Sequence, residues 1–191
     1  MSEKPLSYNK QFQKERPAIR TIAARFMNEA LCVQLEAFLL CLEESKMPLS
    51  IARCNTYQSN FKGKIVFRIE IANGQGCSKD TYCVKVYTAD DPCHFREDNR
   101  YDIQNKLEEY LSNLSYDMLD YSVKHLPRCR GCGKCKPGVK LDVLGNSFPG
   151  ICACDMYAVR FNNPNESDYE MIKKLIAARR QYIIESKSAI K

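Results

Sequence analysis

The segment 127–155 holds the residues of this sequence whose types and spacing indicate chemistry. Five of the eleven cysteines lie in it: Cys129, Cys132, Cys135, Cys152 and Cys154. Cysteines spaced C-x-x-C or C-x-C can direct both thiolates at one ion, and two such pairs complete the tetrahedron that Zn²⁺ prefers. The spacing therefore predicts a metal site.

Four of these cysteines are the predicted ligands, and the fifth is an alternate. The predicted set is Cys129, Cys132, Cys152 and Cys154, with Cys135 as the alternate ligand. Gly133 follows the second member of the first pair, where a glycine lets backbone N–H groups turn toward the thiolates. Four thiolates leave no open coordination position, so the predicted zinc is structural.

A hairpin is predicted to bring the two cysteine pairs together. The run 139–144 reads as a strand, 145–146 as a turn and 147–151 as a returning strand. This layout is a zinc ribbon with one shortened knuckle. The hairpin looks too short to bury much apolar area, so the ion is expected to hold it closed. Nearby basic residues would offset the charge of the four thiolates on zinc.

An iron–sulfur cluster is the alternative, because C-x-x-C-x-x-C resembles the start of a bacterial ferredoxin motif. That motif continues with a cysteine and a proline, whereas this sequence has Val139 at the cysteine position. A cluster would need Cys152 or Cys154 as its fourth ligand. A cysteine-dependent enzyme, for example one using Cys93 beside His94, is less favoured because neighbouring residues seldom meet productively.

Composition bounds the class of protein. The chain has 191 residues, 45% of them hydrophobic and 27% charged, which is typical of one globular domain. The net charge of +6 is modest and does not by itself require a nucleic-acid partner. No secretory signal and no membrane span is evident, so we expect a cytoplasmic protein with reduced cysteines and no membrane partner.

The first half of the sequence predicts helices followed by strands. Residues 1–16 are polar and basic and predict a loosely ordered arm, for which nucleic-acid contact is the rarer interpretation. From Pro17 a helical period runs to Leu40, with a second helix possible after Asn28. Its apolar stripe is Ile19, Ile22, Phe26, Ala30, Val33, Ala37 and Leu40. Strands are predicted over 49–57, 64–71 and 81–88, forming an antiparallel meander.

The second half predicts helices on either side of the cysteine segment. Residues 98–113 have a helical apolar period, and Ser115 is positioned to cap a shorter helix. A strand over 156–161 precedes a final helix, for which Ser167 and Glu170 have capping-box spacing. The predicted apolar face of that helix is Ile172, Leu175, Ile176, the stem of Arg179, and Ile183.

Two stretches carry a family resemblance. The run Phe61-Lys-Gly-Lys-x-Val-Phe67 leads into the meander, and a strand ending at Phe161 leads through Pro164 into the last helix. This order resembles the small YdhG-like bacterial domains, an α+β group related to frataxin-like iron chaperones. It covers residues 49–88 and 156–185. The cysteine segment stands as an insertion, so the resemblance transfers no functional residue.

Together these observations predict one α+β domain over residues 17–191, with an antiparallel sheet flanked by helices. A metal-stapled, zinc-ribbon-like hairpin within 127–155 completes it. The favoured function is that of a non-enzymatic, zinc-binding accessory or regulatory protein of the cytosol that acts on a protein partner through an interaction surface. An iron–sulfur or iron-handling protein is the alternative.

Overall fold

A computed structural model describes residues 8–71, 81–88, 100–130, 138–152 and 157–188. The first three elements are helices: α1 (Tyr8–Glu15), α2 (Ile19–Phe26) and α3 (Glu29–Glu43). Asn28 caps α3, because its Oδ1 accepts a hydrogen bond of 3.0 Å from the Leu31 N–H. The helix break predicted at Asn28 is therefore confirmed.

The loosely ordered arm expected over residues 1–16 is wrong for α1. Phe12 is only 2% exposed, and its ring lies 6.5 Å from that of Tyr57. The Tyr8 hydroxyl donates a 2.8 Å hydrogen bond to Asn55 Oδ1. Two aromatic side chains are thus enough to hold a mostly polar helix on the domain. Residues 1–7 lie outside the described part of the chain.

The apolar stripe predicted from Pro17 to Leu40 holds for α2 and fails in α3. Val33 is 64% exposed and Leu40 53% exposed. The residues of α3 that are buried are Leu35, Phe38, Leu39 and Leu42. The chain turns at Met27 and Asn28, so the helical phase starts afresh and a different face meets the core.

A five-stranded antiparallel sheet forms the centre of the fold. Its strands are β1 (Ser50–Arg53), β2 (Thr56–Phe61), β3 (Lys64–Ile71), β4 (Tyr82–Tyr87) and β7 (Ala158–Asn162), in the order β1-β2-β3-β4-β7. The predicted meander is confirmed. The strand expected over 49–57 is instead two strands, because the chain turns at Cys54 and Asn55, where Asn55 has a φ of +53°.

Register gives the sheet two different faces. One face carries apolar side chains, such as the row Ile69, Val84 and Phe161 across β3, β4 and β7. The next row, on the opposite face, contains Arg68, Lys85 and Arg160. Directly opposed like charges in a sheet destabilise it, so this second face needs compensating groups.

Glu70 supplies compensation inside the sheet. Its Oε2 lies 3.0 Å from Lys85 Nζ, and the two side chains are 8% and 9% exposed. Its Oε1 lies 3.1 Å from Arg53 Nη2. Arg68 donates a 3.0 Å hydrogen bond to Gln58 Oε1 and lies over the Tyr87 ring. The Glu70–Lys85 pair is thus a buried ion pair on the second face of the sheet.

The remaining elements follow β4. They are α4 (Arg100–Ser112), α5 (Tyr116–Lys124), the hairpin β5 (Val139–Val143) and β6 (Asn146–Ile151), and finally β7 and α6 (Glu166–Ser188). Ser115 occupies the predicted N-cap position of α5, without a hydrogen bond from its side chain. The hairpin β5–β6 forms a separate two-stranded sheet, as the sequence predicted.

The start of α6 differs from prediction by two residues. Asn165 Oδ1 accepts from the Ser167 N–H at 2.9 Å, and Asp168 Oδ2 accepts from the Asn165 N–H at 2.9 Å. Asn165 and Asp168 therefore form the capping box. The prediction that used Ser167 and Glu170 is wrong, because both residues already lie inside the helix.

The core lies between the apolar face of the sheet and the helices. Five residues predicted for the inner face of α6 are at most 2% exposed: Ile172, Leu175, Ile176, Arg179 and Ile183. The Tyr110 hydroxyl of α4 donates to the Leu175 carbonyl at 3.4 Å. The α+β class with helices flanking an antiparallel sheet is confirmed. None of the described helices has the length and apolar character to cross a membrane.

Candidate metal centre

The β5–β6 hairpin is docked on the domain by its own side chains. Val139, Leu141, Val143 and Ile151 are at most 3% exposed. The α4 side chains add two contacts: Gln104 Nε2 donates to the Lys140 carbonyl at 2.9 Å, and Glu108 Oε1 accepts from the Asp142 N–H at 3.0 Å. The expectation that the hairpin buries little apolar area is therefore wrong, because these four side chains belong to the core.

The exposed face of the hairpin is held by a polar contact between its strands. Asp142 pairs with Ser147 in the ladder and accepts a short hydrogen bond from the Ser147 hydroxyl. This bond lowers the pKa of the Asp142 carboxyl, and Lys140, 3.3 Å away, adds to the effect. Asp142 is thus a surface charge that supports the hairpin.

A third length of chain runs beside β6 and carries the first cysteine. Arg128 forms an antiparallel bridge with Ile151. Two backbone hydrogen bonds flank this bridge: the Cys129 N–H donates to the Gly150 carbonyl at 2.9 Å, and the Cys152 N–H donates to the Pro127 carbonyl at 2.8 Å. The segment 127–129 is therefore registered against 150–152.

This register places Cys129 and Cys152 on one face of the ribbon. Cys129 lies opposite Gly150, so Cys152 is its diagonal neighbour two residues further on. Diagonal residues on one face lie about 7–8 Å apart. The fold therefore brings together one cysteine from each of the two predicted pairs. Both are half-buried and pack against the hydrophobic core.

The other candidate ligands lie outside the described residues. These are Cys132, Cys135 and Cys154. Gly133 and the pair Cys93 and His94, considered for a cysteine-dependent enzyme, also lie outside the described residues. Within the described ranges, no three His, Cys, Asp or Glu side chains are grouped to hold a metal ion. With only Cys129 and Cys152 of the five candidates described, the assignment of the full ligand set stays a prediction.

Gly138 packs against the first cysteine at very short range. A Cβ at this position would lie 2.9 Å from the Cys129 Cβ and 2.9 Å from the Ile151 carbonyl oxygen. Its φ of +96° is in the region that favours glycine. The chain returning to β5 can therefore close over Cys129 only if residue 138 has no side chain.

Gly138→Ala is expected to destabilise the protein. The added methyl group must displace backbone atoms, and the alanine must keep a strained φ, which costs about 1–3 kcal/mol. We expect a lower unfolding temperature, measured by thermal denaturation of the full chain. Gly145→Ala is the matched control, because Gly145 also has a positive φ (+79°) but nothing within 4 Å. Equal effects of the two substitutions would contradict the close-packing argument.

The end of α5 fixes the position of the segment that leads to Cys129. The His125 carbonyl accepts a 3.0 Å hydrogen bond from the Arg160 N–H, which joins this segment to β7. The His125 ring stacks against both Tyr121 and Phe161, with centroids 4.5 and 4.7 Å away. Its Nδ1 donates to the Tyr121 carbonyl at 2.9 Å. His125 is thus the C-cap residue of α5.

Tyr121 links this helix end to the start of α6. Its hydroxyl donates a short hydrogen bond to Asp168 Oδ1. Burial and the Asp168 carboxylate together raise the pKa of Tyr121 to about 12. The phenol therefore stays protonated at neutral pH, which keeps it a hydrogen-bond donor to the carboxylate.

Sequence reasoning missed two features near the cysteines. One is the contact of Gly138 with Cys129, although the Pro137-Gly138 pair is a turn signal. The other is the hydrogen bond between Arg160 and His125, which no sequence pattern marks because it joins distant backbone groups.

Comparisons with known protein families, with curated proteins and with solved structures found no match for this chain. The resemblance to YdhG-like domains therefore stays a prediction.

Proposed function

We propose that this chain is a non-enzymatic, zinc-binding accessory or regulatory protein of the cytosol. One structural zinc ion is held by Cys129, Cys132, Cys152 and Cys154, with Cys135 as the alternate ligand. The pairing of 127–129 with 150–152 is the observation that carries the proposal. It is the arrangement that a two-pair thiolate site requires.

The spacing of the two described cysteines supports a shared ion. Thiolates in a tetrahedral zinc site, at about 2.3 Å from the metal, lie roughly 3.8 Å from each other. Side chains on residues about 7–8 Å apart can reach inward to meet this distance.

The surroundings of Cys129 suit a compact site of four thiolates. Gly138 leaves no room for a side chain beside the cysteine, which favours a small, closed cage. Arg128 and Arg130 flank Cys129 and are exposed, so their charges would offset that of the thiolates. Arg128 Nη1 also donates to the Pro149 carbonyl at 2.9 Å, which ties it to the hairpin.

The zinc in this proposal has no catalytic role, since a closed Cys₄ site holds no water to activate. Its contribution is to hold segment 127–129 against segment 150–152 at the end of the hairpin. The other face of the hairpin is already docked on α4. The binding energy of the ion then stabilises the described ends of the cysteine segment. The protein would act on its partner through a surface elsewhere on the domain.

Metal analysis of the full chain, purified without oxygen, tests the proposal. We expect about one zinc per chain, a colourless sample and no acid-labile sulfide. A cobalt-substituted sample should show the absorption of a four-coordinate thiolate site without bound water. Iron with sulfide and a brown colour would establish the iron–sulfur alternative. A metal-free protein that takes up neither ion would overturn both.

A further inference from the structure

A groove of about 530 Å³ lies between the start of α2, the end of α3 and the strands β1 and β2, which contribute Ser50, Ile51 and Tyr57 to its lining. This volume is within the range of about 300–1,000 Å³ found for binding sites. Most of its lining is apolar, including Ile19, Leu39, Leu42, Met47, Leu49 and Ile51. The groove lies far along the sheet from the cysteine segment, which adjoins β7 at the other edge.

β1, which forms one wall of this groove, is an open edge of the sheet. β1 is the terminal strand of the order β1-β2-β3-β4-β7, and β2 is its partner on one side. Among the described residues, no strand pairs with its other side. The outward N–H and C=O groups of an edge strand can therefore pair with an added strand.

The two arginines at the rim of the groove, Arg20 and Arg16, differ in their ion-pair partners. Arg20 is held by two 2.7 Å hydrogen bonds to Glu36 and a longer contact of 3.4 Å to Glu43. Arg16 also lines the groove and is exposed. No carboxylate of the described chain forms an ion pair with Arg16, so the rim presents one cation for a negative group.

We propose that β1 and this groove bind an extended peptide segment of a partner protein. The segment adds as a strand to the edge of β1 and places alternate apolar side chains in the groove. An acidic residue of the segment pairs with Arg16. This inference rests on the proposed function, because it identifies the interaction surface and the kind of partner that the surface fits.

An added peptide strand uses the open edge of β1, the apolar groove and the charge of Arg16 together. A helix lying in the groove would leave the edge groups of β1 unpaired. β1 spans only Ser50–Arg53 and its register shifts between Ile51 and Arg53, so backbone pairing alone supplies few hydrogen bonds to any added strand. The peptide therefore depends also on apolar contacts in the groove and on the charge of Arg16.

Selection from a random peptide library against the full, metal-loaded chain provides the probe. We expect enriched peptides with apolar residues at every second position and an acidic residue at one end. The best peptide is then synthesised with single N-methyl groups along its backbone. Methylation at alternate positions should weaken binding by at least tenfold, while the positions between them tolerate it. Loss that does not alternate, or no loss at all, would overturn strand addition.

Two charge-reversed variants locate the peptide. Arg16→Glu should weaken the selected peptide at least tenfold, and a peptide with lysine in place of its acidic residue should recover binding. Lys174→Glu, on the exposed surface of α6, is the matched control and should leave affinity unchanged. Bound peptide should also slow hydrogen exchange at residues 49–53. Protection at the exposed face of α3 instead would overturn the inference.

Two further results would also decide the inference. If no peptide is enriched, or if sedimentation shows a dimer that masks β1, the inference fails. The zinc content of each sample is measured alongside binding, so the two proposals are judged separately. Zinc without peptide binding overturns only the groove, and peptide binding without zinc overturns only the metal centre.

Discussion

Cys129→Ser and Cys152→Ser are each expected to lower zinc affinity by more than about 100-fold. Loss of even an outer-shell partner of a metal ligand costs about 10- to 100-fold, and each of these variants removes one of the proposed ligands itself. Competition with a chromophoric chelator measures the affinity. The variants should also exchange amide hydrogens faster in 127–130 and 150–152, while β3 and the inner residues of α6 keep their protection, because the hairpin has its own apolar anchor.

Cys32→Ser is the matched control for these substitutions. Cys32 lies in α3, outside the cysteine segment, and is only partly buried, so a serine can replace it at small cost. Its zinc affinity should be that of the unmodified chain. Cys135→Ser separates the two ligand assignments. If this variant loses zinc and Cys129→Ser retains it, the ligand set is shifted by one pair.

Glu70→Gln is expected to lower the free energy of unfolding by about 3 kcal/mol. Removing one partner of a buried ion pair leaves an uncompensated charge, which costs about 3–5 kcal/mol. Here the charge left behind is that of Lys85, which lies in register between Arg68 and Arg160. For a chain of this size the loss corresponds to roughly 6–12 °C in unfolding temperature. Denaturant titration at constant zinc gives the free energy.

Glu44→Gln controls for the loss of a carboxylate at the surface. Glu44 is 75% exposed and 3.6 Å from Lys173, so its removal should change stability by no more than about 0.5 kcal/mol. The double variant Glu70→Gln/Lys85→Met should recover most of the loss, because an uncharged pair of similar volume avoids the desolvation of both ions. Equal stability of the single and double variants would argue against the buried-charge explanation.

The sheet could be predicted because the alternating apolar residues of its strands contrast with the residues of the turns between them. Alternating apolar residues over Ile65–Ile71 and the Lys62-Gly63 turn indicate a hairpin from local sequence alone. The inner face of α6 was predicted for the same reason, since its apolar residues recur at helical spacing. The β5–β6 hairpin was found from the turn at Gly145.

Features that depend on distant contacts could not be read in this way. The burial of Phe12 depends on Tyr57, and the exposure of Val33 depends on the turn at Met27 and Asn28, after which the helical phase starts afresh. Glu70 and Lys85 stand as isolated charges within apolar strands, and only the register of β3 and β4 reveals that they meet. For the metal centre, spacing predicted the segment, but the packing of Gly138 on Cys129 is a tertiary contact.

The position of β7 affects the order in which the sheet can assemble. The connection from β3 to β4 spans residues 72–81, whereas that from β4 to β7 spans 88–157 and contains α4, α5 and the hairpin. Each doubling of a loop adds about 0.6 kcal/mol to its closure entropy, so joining β7 costs roughly 2 kcal/mol more than joining β3 to β4. The meander β1–β4 is therefore the part of the sheet that forms with the smaller loss of chain entropy. Early formation of α4, α5 and the hairpin shortens the free chain between β4 and β7, which lowers the entropic barrier to completing the sheet.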